Sequence, residues 1–283
     1  MIIWLASYPK SGNTWIRSLL SGYFFSKDGN FNFELLKNIK QFSSKDFLSK
    51  NNENLNLQTR ISKNWIPYQK FINKDKKIHF LKTHNAMCTI NGNKFTDKFN
   101  TAAAIYIVRD PRNIITSLSH HYEISHEEAF TFLTNKRKII FPLGSKNENG
   151  DPDDFNALGD WASHYNSWKN INFCPIKIVK YEDILLDVES TFISILNFLS
   201  KFTEVKLDHE KITNTINTTS FKKLSDMEKK QGFYESVSSE KTKKKINFFN
   251  LGKGNDWKKL LDKKISNKIK YIFKNEMSEL NYF

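Results

Sequence analysis

Three features of the 283-residue chain predict an α/β fold, with a central parallel sheet and helices on both of its faces. Four short apolar or β-branched runs, at 2–7, 78–82, 104–108 and 176–180, read as strands. Between and after them, apolar residues recur at i, i+3, i+4 spacing, which predicts helices over about 13–25, 111–123, 125–135, 157–170, 187–200 and 262–280. The continuous apolar stretches among them, such as 2–6 and 104–108, lie between helical patterns, as in strands covered on both faces. A sheet of this kind binds ligands at the carboxyl ends of its strands.

The first run, Ile2-Ile3-Trp4-Leu5-Ala6, leads directly into Ser7-Tyr8-Pro9-Lys10-Ser11-Gly12-Asn13-Thr14-Trp15-Ile16-Arg17. That order is strand, tight turn, helix, and Trp15, Ile16, Leu19, Leu20 and Tyr23 mark the buried helix face. The N–H groups at such a helix start, joined by the Lys10 ammonium, form a site for a phosphate. It is not a Walker loop, because Lys10 precedes Gly12 where that motif places its Lys after the last Gly. The second run ends in Lys82-Thr83-His84, so an imidazole stands at the same sheet edge, and a neutral imidazole can take a proton from an attacking hydroxyl.

The third run ends in Arg109-Asp110-Pro111-Arg112-Asn113, with Ser117 two turns into the next helix. An Arg fork and a Ser hydroxyl so placed converge on one phosphate. For this segment alone, an ion pair of Arg109 with Asp110 or Asp183 is the competing reading. The fourth run ends in Lys180-Tyr181-Glu182-Asp183. Two stretches break the pattern: a polar loop at 136–156 with Pro142, Gly144, Gly150 and Pro152, and a Lys-rich segment at 222–247. The latter shows little apolar periodicity and few anchors, and reads as a mobile loop.

A net charge of +14 invites a nucleic-acid reading, yet the lysines are spread over the whole chain, with no zinc-finger spacing, RNP-like motif or heptad series. The charge therefore points to an anionic small molecule, and no nucleic-acid partner is expected. No apolar run reaches 18 residues, and the opening run is too short and lacks the basic flank and cleavage site of a signal peptide. The chain is read as one cytoplasmic domain, residues 1–283. Cys88 and Cys174 are too few for a disulfide framework or a zinc site, and the spacing of His120, His121 and His126 fits no common metal motif.

Taken together, these motifs resemble those of sulfotransferases that use 3′-phosphoadenosine 5′-phosphosulfate (PAPS), in the family's order and across the whole chain. Tyr8-Pro9-Lys10-Ser11-Gly12-Asn13-Thr14-Trp15 resembles the 5′-phosphosulfate loop, and Arg109 with Ser117 the 3′-phosphate site. Lys82-Thr83-His84 resembles the Lys-Thr-His of members acting on hydroxyls; Tyr181-Glu182-Asp183 and Thr219-Ser220-Phe221 resemble motifs that flank the adenine. The segment Phe248–Lys258 resembles the closing signature, but Asn250 and Leu251 stand where Arg and Lys are expected, and Lys253 follows Gly252.

The resemblance implies a P-loop-like sulfotransferase fold and O-sulfation of a small-molecule or glycan hydroxyl. It implies that Lys10 offsets charge on the leaving oxygen, that Lys82 adds positive charge near the sulfuryl group, and that His84 is the base, titrating in the imidazole range of about pH 6 to 7. Ser11, Gly12, Asn13 and Thr14 would donate to the 5′-phosphosulfate; Trp15, Tyr181, Thr219, Ser220 and Phe221 would surround the base; Gly252 and Lys253 would face the 3′-phosphate. No metal is required by this arrangement. A P-loop kinase or NTPase, or a non-catalytic polyanion-binding module, are the alternatives. Acceptor recognition is expected from 28–75, 85–100 and 136–156, with Trp65 and Tyr68 suited to a sugar or a phenol.

Overall fold

Strand β1 (Ile2–Ser7) is completely buried and lies inside the main sheet, between β2 (His79–Thr83) and β5 (Thr101–Val108). The order is β2-β1-β5-β8, with β8 (Ile176–Lys180) on the far edge, and every pairing is parallel, as in Ile3↔Phe80, Trp4↔Ala104 and Tyr106↔Ile178. The computed structural model describes residues 1–43, 45, 55–142, 150–239 and 242–283. Gly144 of the polar loop and Lys241 of the Lys-rich segment fall outside them. Two two-residue hairpins, β3 (Thr89–Ile90) with β4 (Asn93–Lys94) and β6 (Ile139–Ile140) with β7 (Asn156–Ala157), lie apart from the main sheet.

The period of two along β1 sends its side chains to two cores. Ile2, Trp4 and Ala6 pack with α2 (Leu57–Ile72), α3 (Pro111–Tyr122), α4 (His126–Thr134), α5 (Trp161–Lys169) and α11 (Lys263–Ile272). Ile3 and Leu5 pack with α1 (Asn13–Phe25), α7 (Val188–Leu199) and α8 (His209–Thr218). Helices thus cover both faces, as the apolar runs predict. Capping sets several of the helix starts. Ser125 and Glu128 form a capping box at α4, and Asp187 and Asp262 accept from backbone N–H groups at α7 and α11. The helix expected over 262–280 is two, broken at Phe273, with α12 (Lys274–Glu279) after it.

Besides the short α6 (Tyr181–Leu186) and α10 (Trp257–Leu260), three described helices were not expected. Helix α2 carries Pro67 in its interior, which reads as a break, yet Ile61 and Trp65 bury one face. Trp65 is therefore core, packed on Phe95 and Phe155, and does not face an acceptor. The second is α8, held by Ile212 and Thr215. The third corrects the reading of 222–247, which opens on a regular helix, α9 (Phe221–Gln231), with Leu224 and Glu228 inside. That segment also has apolar anchors: its Leu224 and Phe233 pack with Phe31, Phe33, Leu36 and the neighbouring Phe249. The Glu228 carboxylate completes the docking by accepting from Ser236 Oγ and the N–H groups of Phe248 and Phe249.

Candidate active site

Parallel pairing of β2, β1 and β5 brings the chain ends after Ser7, Thr83 and Val108 to one sheet edge, where a cavity of about 690 Å³ opens. Lys10, Gly12, Asn13, Thr14, Trp15, Lys82, His84, Arg109, Ser117, Tyr181, Ser220, Phe221, Gly252 and Lys253 all line it. Two expected residues do not. Ser11 is buried with its hydroxyl unpaired, and Thr219 is buried with its hydroxyl donating to the Thr215 carbonyl.

The β1–α1 turn is built for close backbone approach. Lys10 and Gly12 have positive φ, 66° and 97°, and a Cβ at Gly12 would stand 2.4 Å from the Tyr181 ring. Only Gly takes both the angle and the space without strain. Ahead of α1 the first N–H groups lack intrahelical partners and are available to an anion. Asn13 is a correction in part: its amide donates to the Leu5 carbonyl and Ser7 Oγ, tying the helix start to β1, so its side chain is not a ligand donor.

Lys10 makes no ion pair among the described residues; its ammonium lies 3.9 Å from the Phe248 ring centroid. Burial, with Lys82 and Arg109 adding to it, lowers its pKa to about 7 despite Glu235. Arg109 is 6% exposed. Its Nη1 donates to the Lys10 carbonyl at 3.0 Å, its guanidinium stacks 4.2 Å from the Tyr181 ring centroid, and its Nε is buried without a partner. The expected competitor for it is otherwise engaged. Asp110 forks onto Arg112, and neither it nor Asp183 pairs with Arg109 among the described residues. A buried guanidinium with no carboxylate and an orphaned donor is a site for an exogenous anion.

On the other side of Lys10, His84 Nδ1 lies 2.8 Å from the Ser7 carbonyl, an acceptor, so this nitrogen carries the hydrogen. The second nitrogen, Nε2, is then the basic one. His84 is held further by its own carbonyl, which accepts from His164 Nε2. Burial, together with the Lys82 charge, pushes the imidazole down to about 3. The group is neutral at pH 7, but it does not titrate in the ordinary imidazole range.

Sequence reading missed the cluster beside them. Glu235, from the loop after α9, accepts from Thr14 Oγ1, Arg17 Nη1 and Lys82 Nζ, each at 2.8 Å. Thr14 and Lys82, expected to face the donor directly, are therefore already engaged by an internal carboxylate. Burial alone would raise the Glu235 carboxyl, but Lys82 and Arg17 hold it below the usual range. Arg17 had a legible signal, a charge at i+3 from Thr14 within the apolar α1. Glu235 sits in a Lys-rich run and had none.

The adenine-flanking residues expected from the sequence also come together: the Trp15 and Tyr181 rings are 5.9 Å apart at 67°, and Gly252 abuts the Phe221 ring, which a Cβ there would meet at 2.8 Å. Among the described residues no group of His, Cys, Asp and Glu could hold a metal ion.

The profile of the sulfotransferase domain family matches residues 2–281, nearly the whole chain. The chain belongs to that family. As a sulfotransferase it is 22% identical to an amine sulfotransferase of Oryctolagus cuniculus over 98% of its length and 81% of the relative's. It is 24% identical to sulfotransferase 1B1 of Canis lupus familiaris over 97% and 82%. In structure it resembles mouse sulfotransferase SULT7A1 complexed with PAP, at TM-score 0.60 and 18% identity over 98% of this chain and 84% of that one. A retinol dehydratase in complex with retinol and PAP gives TM-score 0.58 and 18% identity over 98% and 81%. These likenesses bear out the P-loop-like fold. No described helix is long and apolar enough to cross a membrane.

Proposed function

We propose that this sulfotransferase takes PAPS as donor and sulfates a hydroxyl of a small molecule, with His84 as the base. The observation that carries the donor assignment is Arg109: a buried guanidinium, in no ion pair among the described residues, stacked on Tyr181 and reaching the phosphate-loop carbonyl of Lys10. It fits the 3′-phosphate, with Ser117 as hydroxyl donor and Lys253 as the exposed cation nearest the missing Arg-Lys pair. Trp15, Tyr181, Ser220 and Phe221 supply aromatic faces and a hydroxyl for the purine, and a cavity of about 690 Å³ has room for a nucleotide and part of an acceptor.

When bound, PAPS supplies the activated sulfuryl group. Lys10 makes no ion pair among the described residues, so its ammonium is free to offset the negative charge that grows on the leaving oxygen. Gly12 keeps the loop backbone close enough for its N–H groups to share that role. Nε2 of His84, the unprotonated nitrogen fixed by the Ser7 contact, accepts the proton of the acceptor hydroxyl as it attacks. Tyr122, Phe141 and Phe248 line the remaining volume and favour an apolar or aromatic acceptor.

The chain is assayed with radiolabelled PAPS against phenols, alcohols, amines and sugars. Transfer to phenols or alcohols, lost in Lys10→Ala, is expected. Transfer confined to amines would overturn the hydroxyl assignment, and transfer to none of them with no PAP binding would overturn the donor assignment.

A further inference from the structure

The cavity collects the cations Lys10, Arg17, Lys82 and Arg109, and two of them, Arg17 and Lys82, meet on a single internal carboxylate. The side chains of Arg17 and Lys82 are only 4% and 5% exposed. Buried ammonium groups so close together lose protons or swing apart unless an anion joins them. Glu235 is that anion. Its Oε1 takes both Arg17 Nη1 and Lys82 Nζ, and its Oε2 takes Thr14 Oγ1. Arg17 cannot follow the carboxylate elsewhere, because its Nε and Nη2 are spent on the carbonyls of Ile39 and Leu36, at 2.6 and 2.8 Å. The anchor is therefore rigid, and Lys82 is the partner being held.

We propose that Glu235 is a positioning residue of the transfer reaction: gripped by Thr14 and Arg17, it fixes the Lys82 ammonium at the sulfuryl end of the cavity and offsets the positive charge gathered around Lys10 before the donor arrives. The proposal rests on the reading of this cavity as the donor site. Around Lys10 stand Arg109 after β5, Lys82 on β2, His121 on α3, Glu228 on α9 and Glu235 beyond it, while His84 after β2, Arg17 on α1 and Tyr234 line the same cavity. Of these, Glu235 exerts the strongest pull upward on Lys10; Lys82 and Arg109 push down, and Glu228 is the weaker counterweight. Without the Glu235 charge, Lys10 falls below its present value of about 7.

Calorimetry of PAP binding at pH 7 in buffers of different ionisation enthalpy reads this directly. Lys10 near 7 is about half protonated in the free protein, so binding of the anion draws about half a proton. In Glu235→Gln uptake should approach about one proton, the alkaline limb of kcat/KM should move down by about one pH unit, and kcat at pH 6 should fall about tenfold because Lys82 is no longer aimed. Glu235→Asp, which keeps the charge, should restore the uptake and the limb. Should Glu235→Gln not fold, Lys82→Met gives the opposite sign: with one cation fewer, Lys10 rises and uptake drops well below half. Unchanged proton uptake and an unchanged alkaline limb in Glu235→Gln, a kcat equal to or above wild type, or uptake unmoved in Lys82→Met, would each overturn the proposal. Failure of the wild-type protein to bind PAP would instead overturn the donor assignment.

Discussion

Replacing His84 by Asn removes the basic Nε2 while leaving an amide N–H where Nδ1 now donates to the Ser7 carbonyl at 2.8 Å. The perturbation therefore deletes the base and spares the contact that positions the strand end. With a pKa of about 3, His84 is neutral in more than about 99% of molecules at pH 5 and above, so essentially the whole population of the enzyme has the base available. A positioned base contributes about 10² to 10⁴-fold, or about 2.7 to 5.5 kcal/mol of barrier. Steady-state kinetics on the true acceptor should then show kcat reduced by that factor in His84→Asn, with PAP affinity unchanged by calorimetry. The sign of the pH dependence follows from the depressed pKa. The neutral form is active, so activity falls only as pH drops toward about 3, and wild-type kcat/KM should be level from pH 5 to about 6.5. On the alkaline side the protonated Lys10 is required, and kcat/KM should decline as pH rises through about 7. A His84→Asn enzyme within threefold of wild-type kcat, or a wild-type acid limb centred between pH 6 and 7, would refute the reasoning.

Lys10→Ala should lower kcat by about 10²-fold or more while the melting temperature holds, because the ammonium makes no ion pair among the described residues that folding would lose; a melting scan beside the rate assay checks both. Arg109→Ala should weaken PAP binding by about 1.5 to 3 kcal/mol, a 10- to 150-fold rise in Kd by calorimetry, and an unchanged Kd would return Arg109 to a purely structural role. Gly12→Ala combines a left-handed φ with a Cβ 2.4 Å from Tyr181, the ring that Arg109 stacks on, and should raise the PAP Kd at least tenfold. Full retention of affinity there would mean that the loop relaxes at no cost to the site.

The sheet was legible because β1 and β5 are nearly continuous apolar runs and β2 and β8 are short segments rich in apolar residues, and the site was legible wherever its residues stand at or just after a strand end: Lys10, Lys82 with His84, Arg109, and Tyr181. Local order along the chain encodes those positions directly. What escaped reading depends on tertiary context. Helix α9 buries only Leu224 and Glu228, too little to mark a helical face, and owes its place to Glu228 accepting from Ser236, Phe248 and Phe249. Glu235 reaches Thr14 across 221 residues, a pairing that no spacing rule can anticipate. The same contact explains why Thr14 and Lys82 do not stand free. His84 was placed correctly in the cavity and wrongly in its titration range, because sequence shows the imidazole and not the depth of its burial.

Titration of the wild-type protein with PAP and with ATP, in metal-free buffer containing 0.2 M salt, tests the central claim that the cavity is built for a 3′-phosphorylated adenine nucleotide held by Arg109. The account predicts saturable one-to-one PAP binding that persists in that salt, with ATP at least tenfold weaker and no gain from added Mg²⁺. Equal affinity for the two nucleotides, or binding of ATP that appears only with Mg²⁺, would contradict it.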